Sequence, residues 1–497
     1  MQARCPSCGS FLSFKSERSA YVVCGACQTL VARKGLDTEA VGKVAALQPD
    51  GSLLRVGTQG VFRGQSFEII GRMQVALGPV EKPDVIWNEW CATFSKGETG
   101  WIGEAQGEYF VSFVQPSAEA PREQQLHLGQ VLPLGGQQAV VTSIARGTAL
   151  SFEGELPFVM STSYQAVFAN LSTPSGLSAT LDYSEDPPLL FQGHWCSFEE
   201  LKFRGLRHAD EEGEGPQISA ANLASLKCAS CGAPHELKAG GISQTLVCGF
   251  CDTVMDLNQD ATFKEVFRFE QAQAKIPALI PLGSVGRLPG STHDYTCIGY
   301  MRRSCVVDGI TYRWSEYLLY EASAGYRWLT ESNGHWTVLQ NLHKVPVSAS
   351  KVPVGHPPNT AVYLDQVAFK HFQRTTATVD YVAGEFPWRV RTGERAQVND
   401  YVAPPLIISA DTATQEFNWS QGRYLPASEV WKAFKLPGSP PAPVGIGNNQ
   451  PNPFKAASRA RWTVYLGVVL LGFVFMMIRT ITVPKPFFQH DWSYKEY

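Results

Sequence analysis

The sequence predicts a mainly β protein made of two tandem copies of one unit, with a single apolar helix near its C-terminal end. Three observations carry that reading. A W-x-E-aromatic strand, a second Trp, a second Glu and a turn dipeptide occur twice. The first set is Trp87, Glu89, Trp90, Trp101, Glu104 and Gln106-Gly107; the second is Trp314, Glu316, Tyr317, Trp328, Glu331 and Asn333-Gly334. The Trp and Glu positions of the second set each stand 227 places after those of the first, a fixed displacement that marks an internal repeat. Ahead of each set lie two C-x-x-C pairs, and Gly (44) and Pro (32) are frequent enough in 497 residues to favour short strands and turns.

Hydrophobic content of 44% and charge of 18% describe a folded chain with room for several cores. The formal net charge of -3 lacks the overall basic balance of a nucleic-acid binder. The opening MQARCPSCGS has no charged start followed by an apolar run, so no secretory signal is expected. Eight of the twelve cysteines fall in C-x-x-C pairs, a metal pattern that points to a reducing compartment.

Cys5, Cys8, Cys24 and Cys27 form one set, with fifteen residues between the knuckles; Cys228, Cys231, Cys248 and Cys251 form the other, with sixteen. A hairpin of that length brings the second knuckle onto the first, and four thiolates with no open position describe a closed structural zinc site. Two zinc ions are therefore expected. The redox alternative needs a helix after the C-x-x-C, and none is indicated.

After each ribbon, Leu36–Leu47 and Leu257–Ala274 have helix-compatible composition, and β-rich regions follow. Val56–Val61 and Ser66–Val75 read as strands turning at Gly64, and Leu282–Arg287 and Tyr295–Met301 correspond to them. FEIIGRM is echoed by YTCIGYM, and EGELPF by AGEFPW. Alternation puts Trp87, Glu89 and Cys91 on one strand face and Trp90, Ala92 and Phe94 on the other, as in a strand covered on both sides. Each unit ends in a short helix, capped by Ser197 before FEEL and by Ser428 before EVWKAF.

The expected domains are thus a ribbon (1–35), a β-barrel or β-sandwich-like domain (36–207), an acidic linker (208–220), a second ribbon (221–257) and a second β domain (258–436). A Pro-rich spacer (437–458), a transmembrane helix (459–483) and a tail (484–497) complete the chain. Within the span, Trp462–Ile478 is seventeen uncharged, strongly apolar residues with Trp462 and Tyr465 as interfacial anchors. Flanking basic residues balance, so the thiolates decide orientation: most of the chain faces the cytoplasm.

Glu89 and Glu316 share a face with Trp87 and Trp314. A carboxylate among indoles has a raised pKa and suits a cationic ligand, and Glu104 or Glu331 would complete a carboxylate pair. The plainer expectation is packing, with Trp filling the domain and Glu bonded to a neighbouring strand. No G-x-S-x-G, phosphate loop or H-E-x-x-H is present, so the sequence gives no sign of an enzyme. Lys15, Arg33 and Lys34 are too few for a nucleic-acid groove on the ribbon.

The four-cysteine ribbon, the W-x-E-W strand and the G-x-x-G-W-I-x-E-x-Q-G hairpin together resemble an uncharacterised bacterial family over residues 5–434. Its members carry this β domain, often duplicated, behind zinc ribbons and ahead of a membrane segment. The resemblance implies companions that are phage-shock-protein-A-like, polyamine-synthase-like or small membrane proteins, in envelope-stress or phage-defence gene clusters. The second copy departs at Tyr317 and Asn333, where the first has Trp90 and Gln106. The expectation is a single-pass bacterial inner-membrane protein, a cytoplasmic scaffold or sensor for a protein partner, with residues 462–478 in the bilayer. The alternatives are a small-molecule receptor or enzyme, with a polyamine as ligand of the Trp-Glu pockets, and a nucleic-acid binder acting through the ribbons.

Overall fold

The computed structural model describes residues 2–452, apart from 35–36, 48–49, 79–82, 84, 106, 117–119, 159–163, 208–225, 240–242, 258–262, 269–276 and 414–415. The expected acidic linker, transmembrane helix and tail lie outside the described residues, as does Gln106. Among the described residues no helix is long and apolar enough to cross a membrane.

The first unit contains β1 (Gln2–Arg4), β2 (Phe11–Ser13), β3 (Tyr21–Val23), β4 (Thr29–Lys34) and β5 (Asp37–Lys43) in its ribbon. Its β domain contains β6 (Gln59–Phe62), β7 (Gln65–Leu77), β8 (Val85–Phe94), β9 (Thr99–Ala105), β10 (Glu108–Gln115), β11 (Val131–Leu134), β12 (Gln137–Leu156), β13 (Gln165–Ser172), β14 (Leu177–Asp182) and β15 (Leu189–Cys196). The second unit repeats the series. Its ribbon has β16 (Leu226–Lys227), β17 (Pro234–His235), β18 (Thr245–Val247), β19 (Thr253–Leu257) and β20 (Phe263–Arg268). Its β domain has β21 (Val285–Gly286), β22 (Tyr295–Val307), β23 (Ile310–Glu321), β24 (Gly325–Ser332), β25 (His335–Asn341), β26 (Val362–Leu364), β27 (Val367–Phe386), β28 (Arg395–Ala403), β29 (Leu406–Thr412) and β30 (Phe417–Leu425). Strand for strand, the pairing order of one unit is that of the other.

Each β domain is a barrel. The order β12-β13-β14-β15-β10-β9-β8-β7 closes because β12 also pairs with β7, and β27 closes on β22 in the same way. Closure removes the exposed edges of an open sheet. Glycines permit it where the closing strands cross: a Cβ on Gly71 would collide with the Glu155 carbonyl, and one on Gly154 with that of Ile70. Gly299 and Gly384 repeat this, so the echoed glycines of the sequence motifs are crossing points.

The end of each long strand also carries the ribbon. Glu155 and Leu156 pair with Val22 and Tyr21, while Val247, Leu246 and Thr245 pair with Gly384, Glu385 and Phe386. The glutamate there turns into the ribbon loop. Glu155 accepts hydrogen bonds from the Lys15 and Ser16 amides at 2.6 and 3.1 Å and from the Ser19 hydroxyl at 2.6 Å. Glu385 accepts from the Lys238 and Ala239 amides and the Ser243 hydroxyl at 2.7, 3.0 and 2.8 Å. Both glutamates are 3% exposed, so these donors replace lost water.

Several expectations need correction. Residues 37–43 and 263–268 are strands, because β5 and β20 extend the ribbon sheets beside β4 and β19 and strand pairing overrides helix propensity. Leu282–Arg287 yields only the two-residue β21. The Ser197 cap holds, with its side chain and that of Glu200 bonding reciprocally. The second closing helix runs Ala427–Phe434 with Pro426 at its N-cap, so Ser428 lies inside it. Residues 437–449 do not stand away as a spacer. Asn449 is 2% exposed and bonds Thr337 and Pro405, and Val444 bonds the Asn333 carbonyl.

The two barrels pack within one compact unit, Met1–Asn449. His343 stacks on Trp195 with ring centroids 4.1 Å apart and meets Glu108 at 2.9 Å; His293 meets Glu199 at 2.6 Å. The backbones also touch closely, at Gly107 against Gly325 and at Gly129 against Gly355.

The ribbon lock gives a test. Glu385→Ala strands three buried donors and lowers stability by about 2–4 kcal/mol in denaturant unfolding. An exposed control, Glu394→Ala, changes it by less than about 0.5 kcal/mol.

Candidate metal centres and barrel interiors

The turn glycines Gly9 and Gly232, at φ +77° and +72°, let each first knuckle fold back. All four Cys Sγ atoms of each set lie within 4.8 Å of one another, so two groups could hold a metal ion such as zinc. Cys5–Cys27 and Cys8–Cys24 are separated by 3.7 and 3.6 Å, and Cys228–Cys251 and Cys231–Cys248 by 3.6 and 3.7 Å. A tetrahedron with ~2.3 Å metal–sulfur bonds has sulfur–sulfur edges of about 3.8 Å, so the donor sets fit zinc. Hydroxyls of Thr29 and Thr253 stand 3.2 and 3.1 Å from Cys27 and Cys251. His235 Nε2 lies 3.2 Å from Cys248 Sγ, a neighbour the sequence reading overlooked because its position in the first ribbon is not a histidine.

The register separates the other candidate residues into two faces. Trp87, Glu89 and Trp101 point into the first barrel, where Met73, Val75, Cys91 and Phe152 complete a core shared with the ribbon. Trp90 points outward, into a cluster with Ile102, Tyr109 and Leu201 of the closing helix. Glu104 pairs with Asn88 across the sheet and Glu89 with Gly103, so the two glutamates lie on opposite faces. The expected carboxylate pair is therefore not formed. Glu104 instead accepts from Trp90 Nε1 at 2.8 Å and the Ser52 hydroxyl at 2.6 Å.

The second barrel divides likewise. Tyr317 packs outward with Trp336, Val430 and Phe434. Glu331 pairs with Ser315 and accepts from the Gly334 amide at 2.8 Å, pinning the turn. Trp314 and Glu316 point inward, and Trp328 meets Trp388 in the inner core, ring centroids 5.8 Å apart and planes tilted by 52°.

Within each barrel a Trp indole donates to the glutamate two residues on: Trp87 to Glu89 at 2.7 Å and Trp314 to Glu316 at 2.6 Å. A second acid projects from the facing wall, Asp182 on β14 and Asp411 on β29. These hold the same register position, since Asp182 pairs with Phe168 and Leu189, and Asp411 with Val398 and Asn418. The copies then differ. In the second barrel Arg303 Nη1 reaches Glu316 Oε1 at 3.3 Å and Asp411 Oδ2 at 3.5 Å, and its guanidinium lies 5.8 Å from the Trp314 ring centroid. In the first barrel the position of Arg303 is Val75, as Val75 pairs with Trp87 where Arg303 pairs with Trp314. Burial pushes the Glu89 carboxyl up to about 7, with the Trp87 bond pulling down and the Asp182 charge pushing further up. Neither Asp182, Asp411 nor Arg303 was singled out from sequence; only the fold brings strands so distant in the chain face to face.

The three basic residues considered for a nucleic-acid groove on the first ribbon are occupied. Lys15 pairs with Glu68, Lys34 with Glu39, and Arg33 donates to the Glu17 carbonyl.

Residues 281–427, which include β21 through β30, match a family described as a domain of unknown function, DUF4178. No curated protein and no solved structure matches the chain.

Two outcomes follow. Purified protein carries two zinc equivalents; stripping them with a chelator lowers the melting temperature of the barrels too, because β3 and β18 are paired to barrel strands. The Glu89 prediction concerns pH. An acid whose folded pKa exceeds its unfolded value makes stability fall as pH rises from about 4.5 to about 7. Glu89→Gln removes that fall: thermal unfolding shows it close to wild type at pH 4.5 and more stable at pH 8, by on the order of 3 kcal/mol.

Proposed function

We propose that the protein is a membrane-tethered scaffold or sensor that works by binding a protein partner. The observation carrying this reading is the hairpin of β22 and β23. Its tip turns at Asp308-Gly309 and exposes Val306 (65%), Val307 (39%), Ile310 (58%) and Tyr312 (51%) on consecutive ladder pairs. Clustered apolar surface on a folded domain marks a contact site. The two strands of the tip pair with each other, and their exposed apolar side chains offer a contact of the kind a complementary protein surface makes.

The rest of the architecture supports presentation. Each ribbon is fixed to its barrel by Glu155 or Glu385, and the barrels are fixed to each other, so the hairpin projects from a stiff body. The apolar run Trp462–Ile478 would hold that body at the inner membrane, with two zinc ions closing the ribbons in the cytoplasm. The resemblance of the ribbon and W-x-E-W unit to the bacterial family supports an envelope-stress or defence setting, with a phage-shock-protein-A-like or small membrane protein as partner.

The test is a detergent-solubilised pull-down of the full chain from native membranes, comparing wild type with Val306→Asp/Ile310→Asp. A specific partner lost in the variant, with zinc content and melting temperature retained, is the expected result. A partner set unchanged by the variant, or recovery of the chain in the soluble fraction without detergent, contradicts the proposal.

A further inference from the structure

The two barrels hold the same acid pair, and only one supplies its own cation. In the second, the Arg303 guanidinium sits between Glu316 and Asp411 beside the Trp314 ring, with the Arg303 and Glu316 side chains each only 11% exposed. In the first, Glu89, Asp182 and Trp87 take the same positions, and Val75 replaces the arginine. Among the described residues no Lys, Arg or His forms an ion pair with either carboxylate. Asp182 accepts from the Tyr164 hydroxyl at 2.5 Å and the Ser184 amide at 2.9 Å; Glu89 has the Trp87 indole.

The surroundings change with the arginine. Phe168 stands where the second barrel has Val398, and Phe191 where it has Ser420, as the paired registers show. Both rings pack against the cluster that contains Val75, together with Trp87 and Tyr164. Simple replacement of the arginine's volume by two rings would seal the interior. Trp87, Glu89, Phe168 and Phe191 nevertheless keep partial solvent accessibility, whereas Glu316 of the second barrel is 9% exposed. Two carboxylates lined by aromatic rings describe a receptor for an organic cation, since the rings attract charge through their faces and the acids supply charged acceptors.

We propose that the interior of the first barrel binds an organic monocation bearing a guanidinium or primary ammonium head, at the place its duplicate fills with Arg303. The head sits between Glu89 and Asp182 and against Trp87, and the rest of the molecule lies along Phe168 and Phe191. The second barrel is the permanently occupied copy, so the chain binds one equivalent. This site is separate from the partner-binding hairpin and stands or falls without it.

Calorimetry and thermal shift on the full chain in detergent, with propylguanidinium and butylammonium as probes, test the proposal. Wild type binds one equivalent of at least one probe and melts higher in its presence; Glu89→Gln weakens that binding at least about tenfold. Arg303→Ala gains a second equivalent, and the probe restores its melting temperature. Should Arg303→Ala fail to fold, the Glu89→Gln comparison still decides. No saturable binding of either probe to wild type, binding that Glu89→Gln leaves unchanged, or a response to Mg²⁺ or Ca²⁺ alone would overturn the proposal.

Discussion

A carboxylate taken out of water must be met by donors or by a cation, and much of this molecule is arranged around how its enclosed glutamates are met. Glu155 and Glu385 receive backbone amides and hydroxyls from the ribbon loops, which makes ribbon and barrel one piece. Glu104 receives the Trp90 indole and the Ser52 hydroxyl on the outer face, and Glu331 the amide of its own turn. Glu316 receives Arg303. Glu89 receives one indole and no cation, and burial lifts its carboxyl to about 7.

Duplication explains how such an arrangement arises. Both copies keep the barrel closure, the glycine crossing and the ribbon lock, because each of these is needed for folding. The interior position occupied by Arg303 or Val75 is not needed for closure, so it is free to differ. In one copy Arg303 neutralises the acids internally; in the other the same acids stand without it, beside Phe168 and Phe191.

Much of the fold was legible in the sequence. The repeat, the four-cysteine ribbons, the two-faced Trp strand and the Ser197 cap are local patterns, and local patterns survive without knowledge of tertiary contacts. The barrel interior was half legible. Glu89 and Glu316 stood out through their tryptophans, but nearness in sequence suggested Glu104 and Glu331 as partners, and strand alternation sends those outward. The true partners, Asp182 and Asp411, come from the far wall and follow only from closure. Helix-like composition at residues 37–43 misled because the ribbon sheet needs another strand. Apolar residues at the tip of β22 and β23 gave no periodic signal, since a projecting hairpin has no buried face to alternate against.

The central contrast is between an acid pair left open and one that is filled. It is tested most directly by a carboxyl ¹³C NMR titration of Glu89, assigned by Glu89→Gln, with and without propylguanidinium. The account predicts a midpoint near 7 in the free protein, moved downward by the cation. An ordinary carboxylate midpoint that the cation does not move would contradict it.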